Sequence, residues 1–288
     1  MAEILKGAPV AAAISERTRQ DAELLRKHGV EPTLAIVRVG ERPDDISYEK
    51  GAAKRCAAAG VTVRNVVLPA DVGNTEFFEV LESLNQDERV HGILLFLPLP
   101  PHLDGEAARA HICPQKDVDG CTDSSLAGVF TNTETGFAPC TAQAAMEILH
   151  YYNVSCGGKR AAVIGRSLVI GRPVAMMLMH ENATVTICHT KTTDIPSITR
   201  QADILIVCSG QMESIGAEYV HPGQTVIDVG IGWNEEKGKL CGDVRFDEVQ
   251  QAARAITPVP GGVGAVTTSV LVSHVTEAAK RQSGIGRA

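Results

Sequence analysis

The chain has 288 residues, 44% of them hydrophobic and 4% aromatic, with a formal net charge of −7. That length fits one large domain or two modest ones around a mainly aliphatic core. The acidic balance, with no long basic run to offset it, argues against a nucleic-acid or anionic-membrane surface.

The opening stretch MAEILKGAPVAAAISERTRQ briefly imitates a secretion signal. Pro9 interrupts its small-residue run, and Glu16, Arg17 and Arg19 carry it on as a charged amphipathic helix with Val10, Ile14, Leu24 and Leu25 on one face. It reads as mature protein. No apolar run is long enough to span a bilayer, so a soluble, cytoplasmic protein is expected. TLAIVRVG (33–40) then reads as a buried strand, followed by helix around 48–59, a second strand VTVRNVVL, a helix marked by Phe77, Phe78, Leu81 and Leu84, and a third strand GILLFLPLP. Such alternation predicts a parallel sheet with helices on its faces. Residues 104–139 read as a long loop of the kind that builds binding crevices in α/β proteins. A second series of strands follows: RAAVIG, ATVTICH, DILIVCSG and QTVIDVGI, with helices around 173–180 and 246–253 and a last helix over 264–281. The expected fold class is α/β, two lobes, with a cleft between them.

None of the eight cysteines forms a Cys-x-x-Cys pair. Dispersed cysteines fit small buried side chains in a reducing compartment. Cys188 and His189 are neighbours, but nothing nearby completes a zinc set, and no metal is expected.

The chemistry concentrates in AAVIGRSLVIGRPVA (161–175). A strand, a glycine turn and a helix with Pro173 in its first turn form a setting for a phosphate at a helix N-terminus. The spacing departs from Gly-x-Gly-x-x-Gly, because Ser167 replaces the middle glycine and Gly171 comes one residue late. The next strand ends in TICHTKT, with Thr190 and Lys191 where an NAD site commonly places a carboxylate. Arg166 and Thr190 could hold a ribose 2′-phosphate instead, which favours NADP over NAD.

With these stand PQKDVDG (114–120), GFAPCT (136–141), GRSLVIGRP (165–173), CHTKT, VIDVGI and TPVPGGVGAVT (257–267). Together they resemble the methylenetetrahydrofolate dehydrogenase/cyclohydrolase family along almost the whole chain. The resemblance implies oxidation of 5,10-methylenetetrahydrofolate to the methenyl form with NADP or NAD, commonly followed by hydrolysis to 10-formyltetrahydrofolate, in a homodimer. It implies a folate-binding catalytic domain of residues 1–142 with 268–288, and a Rossmann-like NAD(P)-binding domain of residues 143–267. By resemblance Asp119 recognises the pterin and Tyr48 stacks on the aminobenzoyl ring. Pro260, Gly261 and Gly262 approach the folate. Gly165, Arg166, Ser167, Gly171, Thr190, Ile231 and Thr267 bind the cofactor.

Two positions depart from the family pattern. Its Tyr-x-x-x-Lys pair is here Tyr48 with Ala52, and its partner Gln is Phe96. Lys54 and Lys50 are the candidate substitutes, but they lie roughly 120° and 160° around a helix from Tyr48, against roughly 40° for Ala52. The expectation is retained dehydrogenase with weak or absent cyclohydrolase. Ala142, Ala265 and Gln211-Met212 replace common family prolines or a Gly-x-Pro run and bear on loop stiffness and shape. A two-domain dehydrogenase for another small substrate would leave KDVDG and PVPGGVG unexplained. A nucleotide-binding regulatory protein without catalysis draws only on Ala52 and Phe96.

Overall fold

The computed structural model describes residues 1–285. In chain order the elements are β1 (Glu3–Ile4), α1 (Gly7–Lys27), β2 (Thr33–Val39), α2 (Pro43–Ala59), β3 (Thr62–Leu68), α3 (Asn74–Gln86), β4 (Gly92–Leu95), α4 (Gly105–His111), α5 (Asp123–Thr131) and α6 (Cys140–Tyr151). They continue with β5 (Arg160–Ile164), α7 (Gly171–His180), β6 (Thr184–Cys188), α8 (Ile195–Thr199), β7 (Ile204–Val207), β8 (Thr225–Asp228), β9 (Gly232–Asn234), β10 (Lys239–Cys241), α9 (Phe246–Ala252), β11 (Ala255–Ile256) and α10 (Gly264–Ser283). The chain forms two compact units, one of Met1–Ala12 and Thr141–Thr267, the other of Ala13–Cys140 and residues 268–285.

The six-stranded unit holds a parallel sheet in the order β1-β11-β8-β7-β5-β6, plus the antiparallel hairpin β9–β10. Its central strands β7 and β8 are buried along their whole length, as expected when helices cover both faces. Ala162, Ile164, Leu205, Val207, Val226 and Ile256 contribute to the core. The first twelve residues group with this unit, while the sequence reading sets them with residues 13–142. The reason is β1, which extends the sheet edge by pairing Glu3 and Ile4 with Ala255 and Ile256.

The three-stranded unit is a parallel sheet in the order β3-β2-β4. Ala35, Val37, Phe77, Leu81, Ile93 and Ile112 pack in its core. In α1, Val10, Ile14 and Leu25 are buried, whereas Leu24 is exposed. Strand β4 stops at Leu95, short of the GILLFLPLP run. Phe96 still donates its N–H to the Val37 carbonyl at 3.0 Å, but Pro98, Pro100 and Pro101 have no N–H to continue the ladder. The stretch 104–139 is less of a loop than expected, because it contains α4 and α5. Asp104 caps α4 by accepting from the amides of Glu106 and Ala107, and Thr122 caps α5 by accepting from Ser125.

Candidate functional site

On the six-stranded unit, Ile164 at the end of β5 lies opposite Cys188 at the end of β6. The residues just beyond, Arg166 and Ser167 on one side and Thr190 and Lys191 on the other, are therefore brought to the carboxyl end of the sheet, and all four are exposed. Gly165 has φ +127°, and a Cβ there would meet the Cys208 Sγ at 2.7 Å. At Gly171 a Cβ would lie 2.6 Å from the Gly165 carbonyl carbon and 2.8 Å from the Arg166 nitrogen. The turn is thus closed glycine against glycine. Ser167 holds it, its Oγ accepting from the Ile170 amide at 3.2 Å and its carbonyl from the Arg172 amide at 3.0 Å. Helix α7 starts directly behind, so the turn presents its positive end to an anion. Thr192, not Thr190, fixes the second loop, through bonds with His189.

The same unit encloses a cavity of about 390 Å³ whose lining includes Ile231, Pro260, Gly261, Gly262 and Thr267. All five were expected at a ligand, and the structure groups them in one place. Asp228 also lines this cavity, at the carboxyl end of β8. Burial pushes its carboxyl up to about 7, opposed by hydrogen bonds from the Val244, Asp243 and Gly230 amides.

On the three-stranded unit, the charges of KDVDG separate by role. Lys116 is buried and donates to the carbonyls of Leu84 at 2.9 Å and Asp87 at 2.8 Å. Asp117 is buried and accepts from the Cys121 and Thr122 amides and from Ser125 Oγ. Both hold the fold. Asp119 differs. Its side chain is partly open to solvent, yet protein surrounds it closely enough that burial pushes its carboxyl up to about 6, helped by the nearby Asp117 charge and opposed by a bond from the Cys140 thiol. Tyr48 on α2 is 44% exposed over its whole side chain, but its phenol is desolvated, which raises it to about 12 with the Asp119 charge adding to the effect. Tyr48 also bonds Thr268. Its ring meets Phe96 edge-to-face, with centroids 5.6 Å apart and planes at 81°. Ala52 is buried on the same helix, while Lys50 and Lys54 are exposed. A carboxylate so placed can accept two parallel donors from one planar partner.

Sequence reasoning missed Asp228, Asp243, Thr257 and Cys140 as parts of these sites. Among the described residues no group of three or more His, Cys, Asp or Glu could hold a metal ion, and no helix is long and apolar enough to cross a membrane.

The catalytic-domain sequence model of tetrahydrofolate dehydrogenase/cyclohydrolase matches residues 5–119, and the NAD(P)-binding-domain model of the same family matches residues 139–283. The chain belongs to the tetrahydrofolate dehydrogenase/cyclohydrolase family. Among its family relatives, the bifunctional protein FolD of Carboxydothermus hydrogenoformans is 47% identical over 99% of this chain and 100% of its own. The bifunctional enzyme FolD of Campylobacter jejuni has a TM-score of 0.93 at 38% identity, covering 98% of this chain and 99% of that one. The Trypanosoma brucei FolD, solved with NADP cofactor and inhibitor, has a TM-score of 0.89 at 37% identity over 100% and 99% of the two chains.

Proposed function

We propose that this family member is a 5,10-methylenetetrahydrofolate dehydrogenase that uses NADP, with NAD as the alternative cofactor, and that its cyclohydrolase activity is weak or absent. The observation that supports the first part best is Asp119, an accessible carboxylate with a raised pKa beside Tyr48, in a chain matched by both family domains. Asp119 accepts two bonds from the amino-pyrimidinone edge of the pterin, and Tyr48 stacks on the aminobenzoyl ring. Pro260, Gly261 and Gly262 let main chain approach the folate. The residues of the other unit fit a dinucleotide: the turn 165–171 leaves no room for a Cβ at Gly165 or Gly171 and presents Ser167 and the start of α7 to a pyrophosphate. Arg166 and Thr190 hold the 2′-phosphate, and Ile231 and Thr267 touch the nicotinamide end. The bound cofactor supplies the hydride acceptor. The chain's own task is to orient the folate and exclude water.

The loss of hydrolysis is read from Ala52 and Phe96. Neither side chain can donate, accept or move a proton, and Phe96 packs its ring against Tyr48 where a water would need orienting. Acid–base catalysis is typically worth about 10²–10⁴-fold, so its absence is measurable. Lys54 and Lys50 are the side chains to test as substitutes. We further propose a homodimer working in the cytoplasm, in keeping with eight unpaired cysteines. The test is to supply methenyltetrahydrofolate without cofactor. Decay at the buffer rate supports the proposal, and fast decay that Lys54→Ala or Lys50→Ala abolishes assigns the role to that lysine.

A further inference from the structure

Strand β8 is a run of four buried residues, Thr225–Asp228, that ends in a carboxylate only 3% exposed. A buried charge is costly unless its oxygens are satisfied. Here main chain satisfies them. Asp228 Oδ1 accepts from the Gly230 amide at 3.0 Å and the Asp243 amide at 3.1 Å, and Oδ2 accepts from the Val244 amide at 3.0 Å. The main chain of Asp228 is tied in turn to Thr257, whose hydroxyl accepts from the Asp228 N–H at 2.8 Å and lies 3.3 Å from its carbonyl oxygen. Thr257 is fully buried. Gly242 keeps the space open, since a Cβ there would collide with Asp228 Oδ2.

These bonds run in two directions from one residue. One set fixes Gly230, next to Ile231. The other fixes Thr257, directly before the run 258–264. Both segments line the 390 Å³ cavity that Asp228 itself borders. Asp243 extends the arrangement by accepting from Ser209 Oγ at 3.0 Å and the Gly210 amide at 2.8 Å, which ties in the loop after β7. The turn 165–171 takes no part in it. A carboxylate suits this place because it alone among uncharged and acidic side chains of its length offers two oxygens and no N–H. Asparagine would turn one of those acceptors into a donor facing an amide.

We infer that Asp228, with Thr257, is a positioning residue for the nicotinamide end of the dinucleotide, setting two walls of that cavity independently of the phosphate-binding turn. The inference rests on the dinucleotide reading of this unit. It predicts that binding energy divides along the ligand. Calorimetric titration with NADP and with 2′-phospho-ADP-ribose, which lacks the nicotinamide ring, separates the two parts. In Asp228→Asn and in Thr257→Val, NADP binding weakens roughly tenfold or more. Binding of 2′-phospho-ADP-ribose stays within about twofold of wild type, and Thr257→Ser restores NADP binding, because the lost bonds serve only one end. Equal weakening of both ligands, or of neither, in a variant that melts cooperatively overturns the inference. Should Asp228→Asn fail to fold, Thr257→Val and Thr257→Ser carry the same comparison. Wild-type protein that binds neither ligand would overturn the dinucleotide reading itself, a result distinct from wild-type binding without discrimination between variants.

Discussion

The six-stranded unit builds its candidate site mainly from main chain, whereas the three-stranded unit builds its own from side chains. At the turn 165–171 the important atoms are amides and absent Cβ atoms, so the site and the fold are one object. At Asp119 and Tyr48 the fold is held by other residues, Lys116 and Asp117 among them, so the side chains of the site are free to change chemistry. The difference teaches where variation can occur. A main-chain site can lose function but is poorly placed to acquire a new one. A side-chain site can shed one activity while keeping another, as we propose for Ala52 and Phe96.

Substitutions can break that contrast. The largest effect is expected at Gly171→Ala, whose new Cβ meets main-chain atoms at 2.6 and 2.8 Å. It should cost about 1–3 kcal/mol of stability. It should also weaken NADP binding by more than about a hundredfold through displaced amides. Thermal melting and calorimetry read both losses together. Asp119→Asn should separate them: on the order of a hundredfold lower kcat/KM for the folate, with no loss of melting temperature. A variant that unfolds instead would place Asp119 with the structural residues. Third, the double substitution Ala52→Lys with Phe96→Gln should raise methenyltetrahydrofolate hydrolysis by tens of fold over the parent protein, short of the roughly 10²–10⁴ that a tuned acid–base group supplies. No gain would mean that more than these two side chains separates this chain from a hydrolase. Arg166→Ala should raise KM for NADP about tenfold and leave NAD nearly unchanged, since its guanidinium serves the extra phosphate. Equal effects on both cofactors would remove it from that role.

The smallest effect is on stability against pH. The Asp119 carboxyl sits at about 6 when folded, above its ordinary value of 3.8. The folded state therefore binds this proton more tightly than the unfolded chain does. Its stabilising contribution is complete below about pH 4 and is lost as pH rises through about 6, on the order of 1 kcal/mol for a carboxyl that stays partly open to solvent. Relative to wild type, Asp119→Asn should gain stability between those limits, and parallel melting curves at both pH values would show that the carboxyl is not so placed.

Much of the fold was legible because parallel strands buried on both faces read as unbroken apolar runs, as in RAAVIG and DILIVCSG. What escaped was short. Strands β1 and β11 have two residues each, too few to carry a period, and β1 shifts the first twelve residues into the other unit. Helices α4 and α5 hid in a polar stretch, although the capping Asp104 and Thr122 were visible there. At the sites, the glycine turn announced itself by composition. Asp119 was identified through resemblance, since an Asp-Gly pair alone reads as a turn. Asp228 gave no signal, because a lone acid at the end of an apolar strand says nothing about the three amides that fold back onto it. A buried carboxylate at the carboxyl end of a central strand is nevertheless a pattern that could have prompted the question.

The central claim is that this chain oxidises a folate one-carbon bridge and leaves the product unhydrolysed. It is tested most directly by incubating the protein with 5,10-methylenetetrahydrofolate and NADP while following reduced cofactor and methenyltetrahydrofolate together. Equal accumulation of the two, with the methenyl form then decaying at the buffer rate, is the predicted result. Reduced cofactor accompanied by rapid formation of 10-formyltetrahydrofolate would contradict the second half of the claim, and no reduction of either NADP or NAD by folded protein would contradict the first.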